Sequence, residues 1–429
     1  MTDVALPVIP VEQLRVGHFV LLDLGWMDHP FPRSNFRISS PHQIETIRNL
    51  GLTRVRVDPA RSEFPPQEGT APDASAAAAG PQAPAGAAQA TDARTQALLQ
   101  QRQALLRCER QYHEGTRQVR AAFDQVERAP EAAGAIAREL IGGMVDAIGG
   151  HGETAIRLLS DIQGDRAGQH AMNVAVLSLL LGRALGLDEA ALRALGLAAL
   201  LHDMGKVRLP EPVRHKDAGF TPAQLKAYEE HVVHGAELAR TMGLEAAVVE
   251  AIAQHHEAAD GSGFPAALSG QRIGRLAHIV ALVNRYDGLC NPPNPARAFT
   301  PHEALARLYA VHKARFDAAT LAAFIRLLGV YPPGSIVQLS DGRYALVQAC
   351  NASRPLKPRV LVHDPHTPPS EALLLDLQAQ PELSIQRSLR ADQLPRAALD
   401  YLDPRPRYCY FFERALRAEG IAAPTGVHP

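Results

Sequence analysis

The sequence predicts a mainly α protein: a helical core set between a small N-terminal α+β unit and a C-terminal β-rich unit. Three observations carry this. Helical periodicity runs with few breaks from Ala132 to Leu328, strand-like alternation appears only before residue 60 and after residue 333, and a run of Ala, Pro and Gly separates the first unit from the rest. At 429 residues, roughly three units are expected on length alone.

Residues 1–60 open with short β-like runs (HFVLLDL), continue through an amphipathic helix from His42 to Leu50 that stops at Gly51, and close on the strand TRVRVD. Residues 61–90 form a disordered linker in this reading, because Pro65 to Ala90 offers almost no large apolar side chain to offset the entropy of ordering. Residues 91–150 are a helical connector. Its first part, Thr91 to Arg128, lacks Pro, has Gly115 as its one glycine, and reads as a long exposed helix. Its thin apolar stripe stabilises a lone helix poorly, so a homodimer through residues 91–150 is expected. Residues 151–333 are helical, with breaks at 186–188, at Leu209-Pro210, and in the loops Gly219 to Pro222 and Gly261 to Pro265. Residues 334–429 alternate as strands do (SIVQLSDGRYALVQAC), with Asp341-Gly342 marking a hairpin turn.

Lys plus Arg number 44 against 45 Asp plus Glu, a net charge of −1, so no global basic field points to DNA or an anionic membrane. The four cysteines (Cys108, Cys290, Cys350 and Cys409) are far apart and form no CxxC pair, which excludes a disulfide framework and a zinc knuckle and suits a reducing compartment. The start, MTDVALPVIPVEQL, lacks the basic and apolar regions of a secretory signal, and the strongest apolar run, Val174 to Leu181, is too short to span a bilayer. A cytoplasmic protein is expected.

Eighteen histidines stand out, several of them beside acids within apolar helices. In Leu200-Leu201-His202-Asp203-Met204-Gly205-Lys206 an imidazole and a carboxylate offer adjacent ligands, and Lys206 follows one turn later. His170, His231, His255 and His256 lie on other predicted helices. Five imidazoles and a carboxylate suffice for a two-metal centre bridged by one Asp. The run Glu257 to Pro265, with Gly261, Gly263 and Pro265 enforcing a turn, is expected to place Asp260 and backbone N–H groups at the rim of that pocket, together with Phe264.

These residues, taken in order, resemble the HD-GYP family, whose members hydrolyse the second messenger cyclic di-GMP. His170 in HAMNV matches the family's H-x-x-N-V, and His202-Asp203 with Gly205-Lys206 matches HD-x-GK. His231 with Gly235 matches H-x-x-x-G, and His255 to Pro265 matches HHE-x-x-DG-x-GYP. The N-terminal VEQLRVGHFVLLDLGW resembles the small domain of unknown role that often precedes such modules, and YPPGSIVQLSDGRYALV resembles the β extension that can follow them.

The resemblance implies an HD-type helical bundle and a metal-dependent phosphodiesterase acting on cyclic di-GMP with two divalent cations, iron or manganese first, nickel or zinc as alternatives. It assigns His170, His202, Asp203 and Asn284 to one cation and Asp203, His231, His255 and His256 to the other. A hydroxide between them would attack phosphorus, with Asp203 positioning both ions and Lys206 neutralising charge on the phosphoryl oxygens. Asp260, Gly261, Gly263, Phe264 and Pro265 would shape the substrate rim.

The chain departs from the family pattern at several points. Asn284 stands where the family's ligand Asp aligns, and Asp287, one turn on, is the carboxylate that would substitute. Phe264 replaces the Tyr of GYP. Asn291 to Pro295 replaces a run whose Arg can face the substrate, Arg297 being the nearest guanidinium, and Arg166-Ala167 replaces a Tyr-Thr pair. No Glu precedes His170 by one turn, so at most two metals are expected. Two alternative functions stay open on the residues alone: a degenerate module that binds a nucleotide or a protein, and an HD phosphohydrolase for another phosphoester.

Overall fold

The structure, a computed structural model, describes residues 6–22, 35–50, 52–59, 61–63, 85–150, 154–159, 165–215, 219–351 and 356–414. The chain divides into two compact units, Met1–Gln103 and Ala104–Pro429.

In the first unit β1 (Val8–Pro10), β2 (Phe19–Leu21), β3 (Asn35–Arg37) and β4 (Arg54–Asp58) form an antiparallel sheet in the order β1-β4-β2-β3, with α1 (Pro41–Asn49) between β3 and β4 in sequence. The alternation RVRVD buries Val55 and Val57 while Arg54 and Arg56 face out, and these valines pack with Val11, Val20, Ile38 and Ile47. The α+β expectation holds for this unit.

The predicted linker reads differently. Its residues 64–84 lie outside the described residues, but 85–90 are helical, because α2 runs from Ala85 to Gln125. Nor is this helix exposed throughout. From Ala104 onward Cys108, Tyr112, Gly115, Val119 and Ala122 are buried at spacings of three and four, so its second half belongs to the core. The stripe looks thin in sequence because Ala, Cys and Gly115 carry it.

In the second unit α3 (Pro130–Gly149), β5 (Thr154–Leu158), α4 (Arg166–Ala184) and α5 (Glu189–Leu201) come first. A 3₁₀ turn (Met204–Arg208) and α6 (Pro222–Glu229), α7 (His231–Thr241), α8 (Ala246–Gln254), α9 (Arg275–Cys290), α10 (Pro301–Ala310) and α11 (Ala318–Leu328) complete the helical core. Asp165 caps α4 by accepting from the Gly168 N–H, and Asp188 caps α5 through the Ala191 N–H. Helix α4 is apolar nearly all round, and Ala171 to Gly182 is buried without a break, which anchors the half-buried His170 just before that stretch.

The C-terminal part adds β6 (Ile336–Leu339), β7 (Tyr344–Asn351), β8 (Arg359–Val362), β9 (Leu375–Asp376), β10 (Ile385–Leu389), α12 (Arg396–Leu402) and β11 (Tyr410–Arg414). The sheet order is β10-β6-β7-β5-β11, with β8 on β7 and β9 on β8. Strand β5 thus leaves the stretch read as helical and joins the C-terminal strands, pairing Ile156 with Phe412. Across that pair the nearly buried Arg157 and Glu413 meet at 3.2 Å, and Arg359 takes Glu413 from the other side. Among the described residues no helix is long and apolar enough to cross a membrane.

Candidate metal centre

Helix α5 ends at His202, and the 3₁₀ turn after it lies flush on α7: a Cβ on Gly205 would stand 2.0 Å from the His231 carbonyl oxygen and 2.4 Å from the Gly235 N. That close approach is the physical content of the spacing His-Asp-x-Gly together with His-x-x-x-Gly. It brings Asp203 among the imidazoles.

Three rings are oriented in the same way. A carbonyl only accepts, so His202 Nδ1 donates to Ala199 O (2.8 Å), His231 Nδ1 to Tyr228 O (2.5 Å) and His255 Nδ1 to Ile252 O (2.7 Å). In the neutral ring each Nε2 is then left with its lone pair. Burial keeps them neutral, lowering His202 to about 4 and His231 and His255 to about 3, and it holds His256 well below the ordinary histidine value.

Asp203 divides these rings between its two oxygens. Oδ2 lies 3.5 Å from His202 Nε2 and 3.6 Å from His170 Nε2, and Oδ1 lies 3.5 Å from His231 Nε2 and 3.9 Å from His255 Nε2. Two ligand-competent sets result, His170-His202-Asp203 and Asp203-His231-His255-His256, sharing one carboxylate. The separations exceed hydrogen-bond length and approach the roughly 3–3.5 Å expected between two atoms on a common ion. Asp203 Oδ1 and Nε2 of His231, His255 and His256 are buried without a hydrogen-bond partner. Four orphaned polar atoms converging on one spot, at least three of them acceptors, are unfavourable unless a cation satisfies them, so the donor set fits a metal pair.

His170 is held from further away. Its Nδ1 meets Asp287 Oδ2 at 2.6 Å. Asp287 Oδ1 in turn accepts from the amides of Asn173 (2.8 Å) and Asn291 (2.9 Å). Burial pushes the His170 ring down, but the bond to Asp287 and the charges of Asp287 and Asp203 outweigh it, and the net shift is upward. Both oxygens of Asp287 are therefore committed to orienting groups, which corrects the expectation that it would substitute as a ligand.

Lys206 Nζ lies 2.5 Å from Asp203 Oδ2 and also bonds the Tyr228 side chain. Burial works against each charge of the Lys206–Asp203 pair, yet mutual attraction raises Lys206 and holds Asp203 well below the usual carboxylate range. Tyr228, which the sequence reading did not single out, thus touches both the lysine and, through its carbonyl, His231.

A cleft of about 450 Å³ opens beside these ligands, lined by His255, His256, Tyr228, Phe264, Asn284 and two arginines, Arg285 and Arg315. Asn284 lines this cleft together with His255 and His256. Of the five residues expected at the rim, Phe264 lines the cleft, its ring stacked 4.5 Å from that of His256. Asp260 is exposed and turned back on its own loop, accepting from Ser262 N (2.9 Å) and Oγ (2.5 Å). Gly261 closes a turn onto Ala258 O, Gly263 lies against the backbone of 256–258, and Pro265 is exposed. An Asx turn competes locally for the Asp260 carboxylate and wins. The loop is instead pinned by buried Glu257, which accepts from Ala266 N (2.7 Å) and Leu268 N (2.8 Å). Arg297 is exposed in a 3₁₀ turn at 295–297 and does not line the cleft, and Arg166 reaches Pro292 O at 2.8 Å. His234 joins neither ligand set, and Cys290 is fully buried.

Residues 153–320 match the family described as HD domain, and residues 7–135 match a domain of unknown function, DUF3391. The chain is 31% identical over 362 residues to the cyclic di-GMP phosphodiesterase PA4108 of Pseudomonas aeruginosa, covering 82% of this chain and 84% of that protein. It is 35% identical over 150 residues to the cyclic di-GMP phosphodiesterase response regulator RpfG of Xanthomonas campestris, covering 34% of this chain and 39% of that one. Among solved structures it is similar to Bd1817, a HDG"Y"P protein from Bdellovibrio bacteriovorus, at 17% identity and a TM-score of 0.42, over 75% of this chain and 98% of that one.

Proposed function

We propose that this protein, which belongs to the HD-GYP family of metal-dependent cyclic di-GMP phosphodiesterases, itself hydrolyses cyclic di-GMP in bacterial second-messenger signalling. The observation that carries the reading is Asp203, whose Oδ2 serves His170 and His202 while its Oδ1 serves His231 and His255. In this reading His170, His202 and Asp203 hold one cation and Asp203, His231, His255 and His256 the other, with Asn284 contributing an uncharged amide oxygen from the cleft wall. Two divalent cations there would supply Lewis-acid polarisation of a phosphoryl oxygen and an acidified water as nucleophile. Mixed imidazole and carboxylate donors suit iron or manganese, with nickel or zinc as alternatives.

The protein's own groups do the rest. Nδ1 contacts to carbonyls keep three Nε2 atoms as lone-pair donors at neutral pH. Lys206 keeps a positive charge beside Asp203 Oδ2, where negative charge on a bound phosphoryl group would develop. Phe264 and His256 form a stacked wall against which a base can lie. Four buried free cysteines suit the cytoplasm, and Leu106, about half exposed on α2, offers an apolar contact for a homodimer, which light scattering would test.

The test is turnover of cyclic di-GMP by metal-loaded protein, with His202→Ala as the blank and Asn284→Asp beside it. Turnover that vanishes in the blank supports the reading, and whether the product is the linear dinucleotide or GMP is read from the same assay. Silence in the natural chain with activity in Asn284→Asp would favour a binding module switched off by one missing charge. Hydrolysis of a generic aryl diester without cyclic di-GMP turnover would favour another phosphoester as substrate.

A further inference from the structure

Two guanidinium groups share the cleft with the metal-ligand imidazoles: Arg285, on α9 one residue after Asn284, and Arg315, at the end of the 3₁₀ turn Lys313–Arg315. Among the described residues neither makes a salt bridge within 4.0 Å. The polar contact of Arg285 is the His312 ring nitrogen at 3.3 Å, and Asp260, the acid nearest in effect to Arg315, forms no salt bridge with it and accepts from Ser262 instead. The charges of Arg315 and Arg307 both act against that of Arg285, and Arg307 itself has its guanidinium over the Phe299 ring, so like charges gather at this end of the cleft.

Lys206, the cation beside the ligand sets, is already bonded to Asp203. Among the described residues that line the cleft, Arg285 and Arg315 are the cations a second phosphate would meet when the first sits at the ligand sets. A cleft of about 450 Å³ falls in the range that accepts such a molecule. We propose that Arg285 and Arg315 bind the second, non-scissile phosphate of a cyclic dinucleotide and thereby select two-phosphate rings over simple diesters. This rests on the phosphodiesterase reading above and names the part of the substrate that the cleft recognises.

The experiment compares two substrates, cyclic di-GMP and bis(p-nitrophenyl) phosphate, which has one phosphate, on the metal-loaded full chain and its Arg285→Gln, Arg315→Gln and Arg285→Lys variants. The readout is the ratio of kcat/KM for the two. Each Gln variant should lower that ratio about tenfold, chiefly through KM for cyclic di-GMP, and Arg285→Lys should restore part of it. A ratio within about twofold of the natural chain in both Gln variants overturns the assignment, whichever way the individual constants move. If the natural chain cleaves the aryl diester but not cyclic di-GMP, the substrate reading fails, and calorimetric binding of cyclic di-GMP then decides the arginines separately. Binding weakened about tenfold in the Gln variants retains them, and equal binding, or none to the natural chain, removes them.

Discussion

The imidazoles of His202, His231 and His255 are each oriented by a carbonyl three residues back, whereas His170 is oriented by a carboxylate 117 residues away. The first kind of support comes with the helix end itself: once α5, the 228–231 turn or α8 forms, the ring is already aimed. The second exists only when three distant pieces of chain meet. Asp287 Oδ1 is held by Asn173 and Asn291, both of which also donate to Tyr408 O (2.8 and 2.9 Å). Asn291 Oδ1 accepts from Tyr408 N (2.9 Å), and Asn173 Oδ1 accepts from Tyr410 N and the Tyr112 hydroxyl (3.0 Å each). Two amides thus pair with the segment that leads into β11, as a neighbouring strand would, and the C-terminal part becomes a support of one half of the metal centre. One half of the site is locally encoded; the other depends on the docking of the last strand.

Breaking the carboxylate that both halves share should have the largest effect. Asp203→Asn removes the bridging charge, so metal content should fall towards zero and hydrolysis by about three orders of magnitude or more, read by elemental analysis and single-turnover assays. Retention of both ions would break the picture of a shared ligand.

Asp287→Asn should separate the halves. It keeps the shape but removes the charge behind His170, and one cation should bind about 10–100-fold more weakly while the other is unaffected, as a chelator competition would reveal. Equal weakening of both ions would show that the division of labour is wrong.

Acidification tests the locally held rings. His202, His231 and His255 have folded-state values of about 4, 3 and 3 against an ordinary value of 6.5, so the unfolded chain binds more protons below that value. Their contribution to stability is complete above pH 6.5 and is lost as pH falls toward 4 and then 3. His170, shifted the other way, contributes in the opposite sense, in full below its unfolded value and lost as pH rises through its folded one. Metal-free protein should therefore show a melting temperature that drops steeply below about pH 6.5, and a flat profile would contradict neutral buried rings.

Asn291→Ala should have the smallest effect. It leaves Tyr408 and part of Asp287 unsatisfied, a loss of about 1–3 kcal/mol in urea unfolding, together with a modest weakening at the His170 side only. No change in either would mean that β11 does not support the site.

Most of the ligand set was legible in the sequence because its determinants are short-range. His-Asp beside Gly205, the His255-His256 doublet and His231 four residues before Gly235 are patterns within one helix or turn, and each acts through contacts a few residues away. What escaped was non-local or read by its type alone. Asp287 looked like a spare ligand because a carboxylate one turn from Asn284 has no label saying which way its oxygens point. Asp260 looked like a rim residue, yet Ser262 two positions on satisfies it. The burial of Cys108, Tyr112 and Val119 was hidden because small residues between them thin the stripe.

The sequence by itself determined the chemistry available here: five imidazoles and a carboxylate at helix ends, glycines where chains must touch, an apolar α4 that has to be buried, and hairpin signals after residue 333. Tertiary structure alone decided how that chemistry is apportioned. The pairing of β5 with β11, the clamp of Asn173 and Asn291 on Tyr408, and the meeting of Arg285 with Arg315 in one cleft join residues tens to hundreds of positions apart. Closing such loops is an entropic cost settled by the whole core at once, and no local pattern in the chain reports which contacts will repay it.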